Sequence, residues 1–120
     1  MSRQRARAEQ AGRRGEALAA LYLRLTGWRV LAQRVRSARG EIDIVARRGR
    51  TLCFVEVKWR ASGVDLDHAI SPANLRRIAA AAEAVGPRFA RPADTQRIDV
   101  LLMAPGRWPR RLENVWQPGA

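Results

Sequence analysis

Three charged residues lie in two short apolar segments that have the composition of β-strands. Asp43 lies in E-I-D-I-V-A-R (residues 41–47), and Glu56 and Lys58 lie in T-L-C-F-V-E-V-K-W (residues 51–59). Ionised groups among such neighbours are costly unless they are paired or bind a cation. With one His and one Cys in the chain, oxygen ligands predominate, and they favour a hard ion, Mg²⁺ or Mn²⁺. Such an ion activates water and stabilises charge on a phosphate.

Strand alternation predicts which of these side chains lie together. Glu41 and Asp43 should share one face of their strand, while Ile42 and Ile44 share the other. By the same rule, Phe54, Glu56 and Lys58 should share one face of the next strand.

The pairing of the two strands determines how close the acids come. Closure around residues 48–49 would pair positions whose numbers sum to 97, which places Glu41 opposite Glu56 and Asp43 diagonal to Glu56. Diagonal neighbours lie about 7–8 Å apart, a span that two carboxylates can close by binding one cation.

An alternative is that these charges lie on a solvent-facing side and form ordinary cross-strand ion pairs. Against it, Val45, Leu52 and Phe54 should share the face of the charges, which predicts that this face is at least half buried.

The two strands are predicted to belong to one domain, residues 9–117, which lies between a basic arm (1–8) and a tail (118–120). The predicted elements are a helix over 9–26, strands over 28–36, 41–47, 51–59 and 96–103, and a helix from the N-cap Ser71 to Gly86-Pro87. The order αβββαβ predicts an α/β fold, with a mixed sheet flanked by helices on both faces and with strands three and four parallel.

After Pro105 we expect loop with one short strand near residues 112–115, held to the body of the protein by Trp108 and Trp116.

The first predicted helix is apolar on two sides. Leu18, Leu21, Tyr22 and Leu25 form one stripe, and Ala19, Ala20 and Leu23 form another, so we expect more than one packing neighbour. Glu16 shares the second stripe. It either joins the acidic residues of the strands or is favoured only by the positive end of the helix dipole.

The charge balance points to a polyanionic partner. The chain has 23 Lys and Arg against 11 Asp and Glu, a net charge of +12, which favours nucleic acid over a merely solvated basic surface. No apolar run reaches the roughly 20 residues that span a bilayer, and no secretory signal precedes the first helix. The single Cys53 suits a reducing compartment. We therefore expect a soluble, cytoplasmic protein with no membrane partner.

Four segments in order carry a family resemblance: R-G-E-x-x-A at 14–19, G-E-I-D at 40–43, F-V-E-V-K at 54–58 and R-I-D-V at 97–100. They resemble the bacterial YraN-like family. That family is placed in the restriction-endonuclease-like superfamily, beside archaeal Holliday junction resolvases. The resemblance implies a restriction-endonuclease-like core and a Mg²⁺- or Mn²⁺-dependent nuclease acting on DNA, with branched or structured DNA among its substrates. Resolvases act as symmetric dimers, which adds the expectation of a homodimer.

The resemblance also implies roles for single residues. Asp43, Glu56, Glu16 and the Val57 carbonyl would hold the metal, and Lys58 would orient or deprotonate the attacking water. The residues expected to bind nucleic acid are Arg14, Arg39, Trp59, Arg60, Asn74, Arg76 and Arg77. Related sequences often carry Lys or Gln where this chain has Asn74, which shortens the reach towards phosphate.

Two other functions remain open at this point: a non-catalytic nucleic-acid-binding protein on a nuclease scaffold, and an adaptor whose basic surface meets an acidic protein. DNA is favoured over RNA, because metal-free RNA cleavage generally needs a histidine, and His68 lies outside the acidic residues.

Overall fold

The computed structural model describes residues 15–59 and 71–116, which form two helices and a five-stranded sheet. The predicted basic arm, the tail, and the residues Arg14, Arg60 and His68 lie outside this part of the chain. The elements are α1 (residues 15–25), β1 (Arg29–Ser37), β2 (Gly40–Arg48), β3 (Thr51–Trp59), α2 (Pro72–Val85), a 3₁₀ turn (Gly86–Arg88), β4 (Thr95–Met103) and β5 (Arg110–Trp116).

The sheet is mixed, and its strands lie in chain order. β1, β2 and β3 are joined antiparallel, β3 and β4 are parallel, and β5 is antiparallel to β4 at the edge. This confirms the mixed α/β sheet with parallel third and fourth strands. The last segment forms a seven-residue strand, which is longer than the short strand predicted there.

The two helices pack on opposite faces of the sheet, as predicted. On one face, Ala19, Ala20 and Leu23 of α1 lie against Ile44 and Val55. On the other face, α2 packs its own apolar side chains, among them Ile78, Ala82 and Val85, against Val45, Leu52, Phe54 and Ile98. The prediction that Val45, Leu52 and Phe54 share a buried face is therefore confirmed.

Local signals define the start of α2. The Ser71 hydroxyl accepts a hydrogen bond from the Asn74 N–H at 3.3 Å, and Pro72 takes the first helical position. The helix ends at Val85, as the Gly86-Pro87 pair predicts.

The predicted register of the β2–β3 hairpin is wrong by two residues. The strands pair from Arg48↔Thr51 to Ile44↔Val55, positions whose numbers sum to 99. The reason is the turn, which is made by residues 49–50, with Gly49 at φ +60° in its first position. Because side chains alternate with a period of two, a shift of two residues preserves the face that each side chain occupies.

The alternation of β2 breaks at Asp43. Ile42 packs with the α2 cluster, whereas Ile44 packs with the α1 cluster, so the prediction that they share a face is wrong. The irregularity continues into β1, where Arg34 has φ +53°. Gln33 pairs with Ile44 and Val35 pairs with Ile42, so Arg34 lies opposite Asp43.

The outer side of α1 faces solvent. Leu18, Leu21 and Leu25 are 42%, 50% and 77% exposed, so within the described residues this helix is covered on one side only, where more than one packing neighbour was expected. These leucines line an open apolar groove of about 620 Å³ together with Trp59 and the β4–β5 loop. Within the described ranges no helix is both long and apolar enough to cross a membrane.

The two tryptophans of the C-terminal segment behave differently. Trp116 pairs with Ile98 and packs into the α2 cluster, as expected. Trp108 is 90% exposed, so the prediction that it anchors the segment is wrong. Trp108 lies in the loop before β5, and the antiparallel pairing of β5 with β4 holds this segment in its place.

Gly40 offers a test of how closely the β1–β2 turn approaches α2. Its φ is +134°, and an added Cβ would lie 3.3 Å from the Ala81 Cβ. We expect Gly40→Ala to lower the free energy of unfolding by about 1–3 kcal/mol, through backbone strain together with the close approach of the new Cβ to the Ala81 Cβ. Urea denaturation measures this, with Gly106→Ala as the control for strain alone, because Gly106 has φ +68° and no atom within 4 Å of its added Cβ. Equal losses in the two variants would contradict a close contact at Ala81.

Candidate functional site

The Asp43 carboxylate lies where β2 separates from β3. Ladder pairing ends at Ile44↔Val55, and beyond it Asp43 Oδ2 accepts a hydrogen bond from the Val57 N–H at 2.8 Å. The side chain thus binds a β3 amide beyond the last ladder pair. This bond fixes the carboxylate against β3, in the same stretch of strand as Glu56 and Lys58.

Glu56 and Lys58 form a mostly buried ion pair on β3. Their Oε1 and Nζ atoms lie 3.0 Å apart, and the side chains are 8% and 17% exposed. Arg77 of α2 brings its Nη2 to 3.8 Å from the same Glu56 oxygen. The burial of Glu56 argues against a simple solvent-facing ion pair. Glu41 fits that alternative better, since it is partly exposed and pairs with the exposed Arg36 at 3.3 Å.

Glu16 of α1 completes the group from the other side of the sheet. Its side chain is 18% exposed, and Oε2 accepts a hydrogen bond from Arg34 Nε at 2.6 Å. Stabilisation by the helix dipole alone does not require such a partner, and here the carboxylate is also within electrostatic reach of Asp43.

The electrostatics of Asp43 tie these residues into one cluster. Burial, followed by the negative charge of Glu56, raises the pKa of Asp43 to about 7. The Val57 N–H and the Lys58 ammonium oppose this rise, and Glu16 adds to it. We call Glu16, Asp43, Glu56 and Lys58 the acidic cluster. The charges of Glu56 and Glu16 both disfavour an ionised Asp43, and a divalent cation at Asp43 would relieve that repulsion.

The acidic cluster has the donor chemistry of a hard-cation site but not its final geometry. Among the described residues, no three His, Cys, Asp or Glu side chains are already arranged to hold one ion. Glu56 faces Lys58, Glu16 faces Arg34, and Asp43 faces the Val57 amide. Metal binding would therefore exchange one or more of these contacts. The predicted metal role of the Val57 carbonyl stays a prediction.

Arg77 and Asn74, which were predicted to bind nucleic acid, lie beside the acidic cluster. Arg77 Nη2 donates to Asn74 Oδ1 at 2.6 Å, and Arg77 also approaches Glu56. Arg76 is exposed on the same helix. The first half of α2 thus presents polar and basic side chains next to β3.

Other predicted residues lie elsewhere. Arg39 pairs with Glu83 at 3.0 Å, in the second half of α2. Trp59 packs into the α1 cluster, where a Cβ added to Gly15 would lie 3.0 Å from its ring. It therefore lies on the face of β3 opposite to Lys58.

Arg34 is the residue that sequence reasoning missed. Nothing in the alternation of residues 28–36 marks it, because its position depends on a left-handed backbone and on a contact with a helix 18 residues away. Cys53 is buried in the α1 cluster, and burial raises the pKa of its thiol.

Comparison with known proteins identifies the family. The model of the uncharacterised protein family UPF0102 matches residues 15–103. A UPF0102 protein of Sphingopyxis alaskensis is 62% identical over 114 residues, which are 95% of this chain and 98% of that protein. UPF0102 proteins of Erythrobacter litoralis and Rhizorhabdus wittichii are 56% and 54% identical, over 92% and 93% of this chain and 96% and 95% of their own lengths. The chain therefore belongs to family UPF0102, which confirms the YraN-like family indicated by its four sequence segments.

Proposed function

We propose that this protein is a metal-dependent nuclease that hydrolyses phosphodiester bonds in DNA, on a restriction-endonuclease-like core. The observation that carries the proposal is the acidic cluster, in which the charges of Glu56 and Glu16 act on Asp43 beside the mostly buried Glu56–Lys58 ion pair, at the point where β2 and β3 separate. The net charge of +12 supports a polyanionic substrate.

The proposal assigns a role to each of these residues. Asp43 and Glu56, with Glu16 and the Val57 carbonyl, would hold Mg²⁺ or Mn²⁺. When bound, such an ion lowers the pKa of water and polarises a phosphoryl oxygen. Lys58 Nζ, held by Glu56, is suited to orient the attacking water and to stabilise negative charge on the phosphate.

A substrate panel tests the proposal directly. Single-stranded, duplex, flap and four-way DNA, together with an RNA duplex, are incubated with Mg²⁺ or Mn²⁺, and with EDTA as the metal-free control. We expect cleavage of at least one DNA substrate, dependent on the metal and lost on replacing Asp43. Absence of cleavage in every case, with an Asp43 variant indistinguishable from the parent, would contradict the proposal.

The exposed arginines of α2 give a prediction about substrate binding. Arg77 is 58% exposed beside Glu56, and Arg76 is exposed next to it. We expect the double variant Arg76→Gln/Arg77→Gln to bind duplex DNA about 10-fold more weakly. The negative slope of log K against log [salt] should become smaller in magnitude by roughly 2, since each arginine neutralises one phosphate. Fluorescence anisotropy over a salt series measures both quantities. Arg50→Gln, at the β2–β3 turn on the other end of the hairpin, is the control. Because the control removes one charge and the double variant removes two, a loss of log K in the control that is half that of the double variant would indicate a non-local charge effect and contradict a phosphate contact by these two arginines.

A homodimer belongs to the same proposal, because a four-way junction presents two equivalent strands to cut and a two-fold symmetric protein matches them. Sedimentation of the protein with and without a four-way junction tests this. We expect two chains per junction, and a one-to-one complex would contradict it.

A second candidate function is a non-catalytic nucleic-acid-binding protein. It is favoured by the finding that, in the described residues, no three metal-ligating side chains are already arranged around one point. In that case DNA affinity should be the same in EDTA and in Mn²⁺, and Asp43→Asn should leave it unchanged or raise it by removing a negative charge.

A further inference from the structure

Arg34 occupies a backbone conformation that residues other than glycine rarely adopt. Its φ is +53°, in the left-handed region, in the middle of β1. It lies opposite Asp43, between the pairs Gln33↔Ile44 and Val35↔Ile42. Such strain persists only where surrounding contacts maintain it, and it is concentrated at functional positions.

The contact that accompanies this conformation is an ion pair with the acidic cluster. Arg34 Nε lies 2.6 Å from Glu16 Oε2. The Arg34 side chain is 47% exposed and that of Glu16 is 18% exposed, so the guanidinium neutralises Glu16 from the solvent side. Glu41 and Asp43 also attract the guanidinium through their charges.

If a divalent ion binds at the acidic cluster, it competes with the Arg34 guanidinium for the Glu16 carboxylate. A divalent ion held by Glu16 must displace Arg34 or share the carboxylate with it. The displaced guanidinium would be half exposed at the rim of the acidic cluster, with the planar set of donors that binds a phosphate in bidentate fashion.

We propose that Arg34 is an exchangeable counter-ion: in the free protein it pairs with Glu16, and when nucleic acid binds it moves to a backbone phosphate and leaves Glu16 to the divalent cation. This inference rests on the proposed function and deepens it by coupling substrate binding to metal binding. Because such coupling is reciprocal, DNA should strengthen Mn²⁺ binding by the same factor by which Mn²⁺ strengthens DNA binding.

The variant Arg34→Asn tests the exchange without threatening the fold, since Asn tolerates the left-handed region better than Arg. Its thermal unfolding midpoint should equal or exceed that of the parent. Arg36→Asn is the matched control, because Arg36 lies on the same strand and pairs with Glu41 at 3.3 Å. The probes are Mn²⁺ alone, followed by electron paramagnetic resonance, and a DNA duplex alone in EDTA, followed by anisotropy.

In the absence of DNA, we expect Arg34→Asn to bind Mn²⁺ about 5-fold or more tightly than the parent. In EDTA it should bind DNA more weakly than the parent does. It should also lose most of the coupling by which DNA and Mn²⁺ strengthen each other's binding. Arg36→Asn should bind Mn²⁺ as the parent does and keep the coupling. Unchanged or weaker Mn²⁺ binding by Arg34→Asn, with a parent that binds Mn²⁺, would overturn the exchange and leave the proposed function standing. A parent that binds no Mn²⁺ with or without DNA would overturn both.

Discussion

Replacing Asp43 by Asn should abolish metal-dependent DNA cleavage, lowering the rate by at least about 10³-fold, without unfolding the protein. The amide oxygen can still accept the hydrogen bond that the carboxylate accepts from the Val57 N–H at 2.8 Å. What is lost is the negative charge that binds a divalent cation. The loss should therefore appear in the rate and in Mn²⁺ affinity, and not in the circular dichroism spectrum.

The control for this change is Glu83→Gln, which removes one negative charge from the ion pair with Arg39 in the second half of α2. It should cleave DNA at the rate of the parent. Cleavage by Asp43→Asn within a few-fold of the parent would show that Asp43 does not hold the metal.

The same substitution should remove the part of the pH dependence of stability that comes from titration of Asp43. The pKa of Asp43 is raised from its ordinary value of 3.8 to about 7, first by burial and then by the charge of Glu56. The folded state therefore keeps a proton that the unfolded state releases. The stabilisation is complete below pH 4 and is lost as the pH rises towards 7. The Asn variant has no such proton to lose. The unfolding free energy of Asp43→Asn minus that of the parent should therefore increase by roughly 2–4 kcal/mol from pH 4 to pH 8.

Urea denaturation of both proteins across this range measures the difference, and comparing the two cancels contributions from other acids. One such contribution comes from Asp94, whose pKa Arg47 lowers to about 2 by hydrogen bonding. The contribution of Asp94 to stability is complete above its ordinary pKa of 3.8 in both proteins and is lost as the pH falls from there towards 2, below the pH range of the comparison. A constant difference between parent and variant from pH 4 to pH 8 would contradict a raised pKa at Asp43.

Local signals in the sequence were enough to predict most of the elements. Ser71, Pro72 and Gly86 determine the ends of α2 through capping and backbone geometry, and the apolar run Thr51–Trp59 coincides with β3. The acidic cluster was predictable from residue type, because charged groups among apolar neighbours in adjacent strands must be compensated.

The positions of individual side chains depended on features that the sequence does not display. A turn displaced by one residue at Gly49 shifts the β2–β3 register by two. The break at Asp43 sends Ile42 to the α2 face, which strict alternation forbids. Arg34 contacts Glu16 from a left-handed backbone position, and strand alternation predicts neither the backbone conformation nor the contact.

The exposed apolar residues differ from prediction for a related reason. Periodicity shows that Leu18 and Leu21 share a stripe of α1, but it does not show whether the chain supplies a second surface to cover that stripe. Trp108 shows the same limit, since a large aromatic residue in a loop is buried only if the loop folds back onto the core.

The most direct test of the acidic cluster as a metal site is a crystal structure grown with Mn²⁺, with the ion located by its anomalous scattering. We predict one strong peak within coordinating distance of the Asp43 and Glu56 carboxylates, with Lys58 Nζ close by and the Glu16 carboxylate in contact with the ion. A structure at saturating Mn²⁺ with no peak there, and with the Glu56–Lys58 and Glu16–Arg34 pairs unchanged, would contradict it.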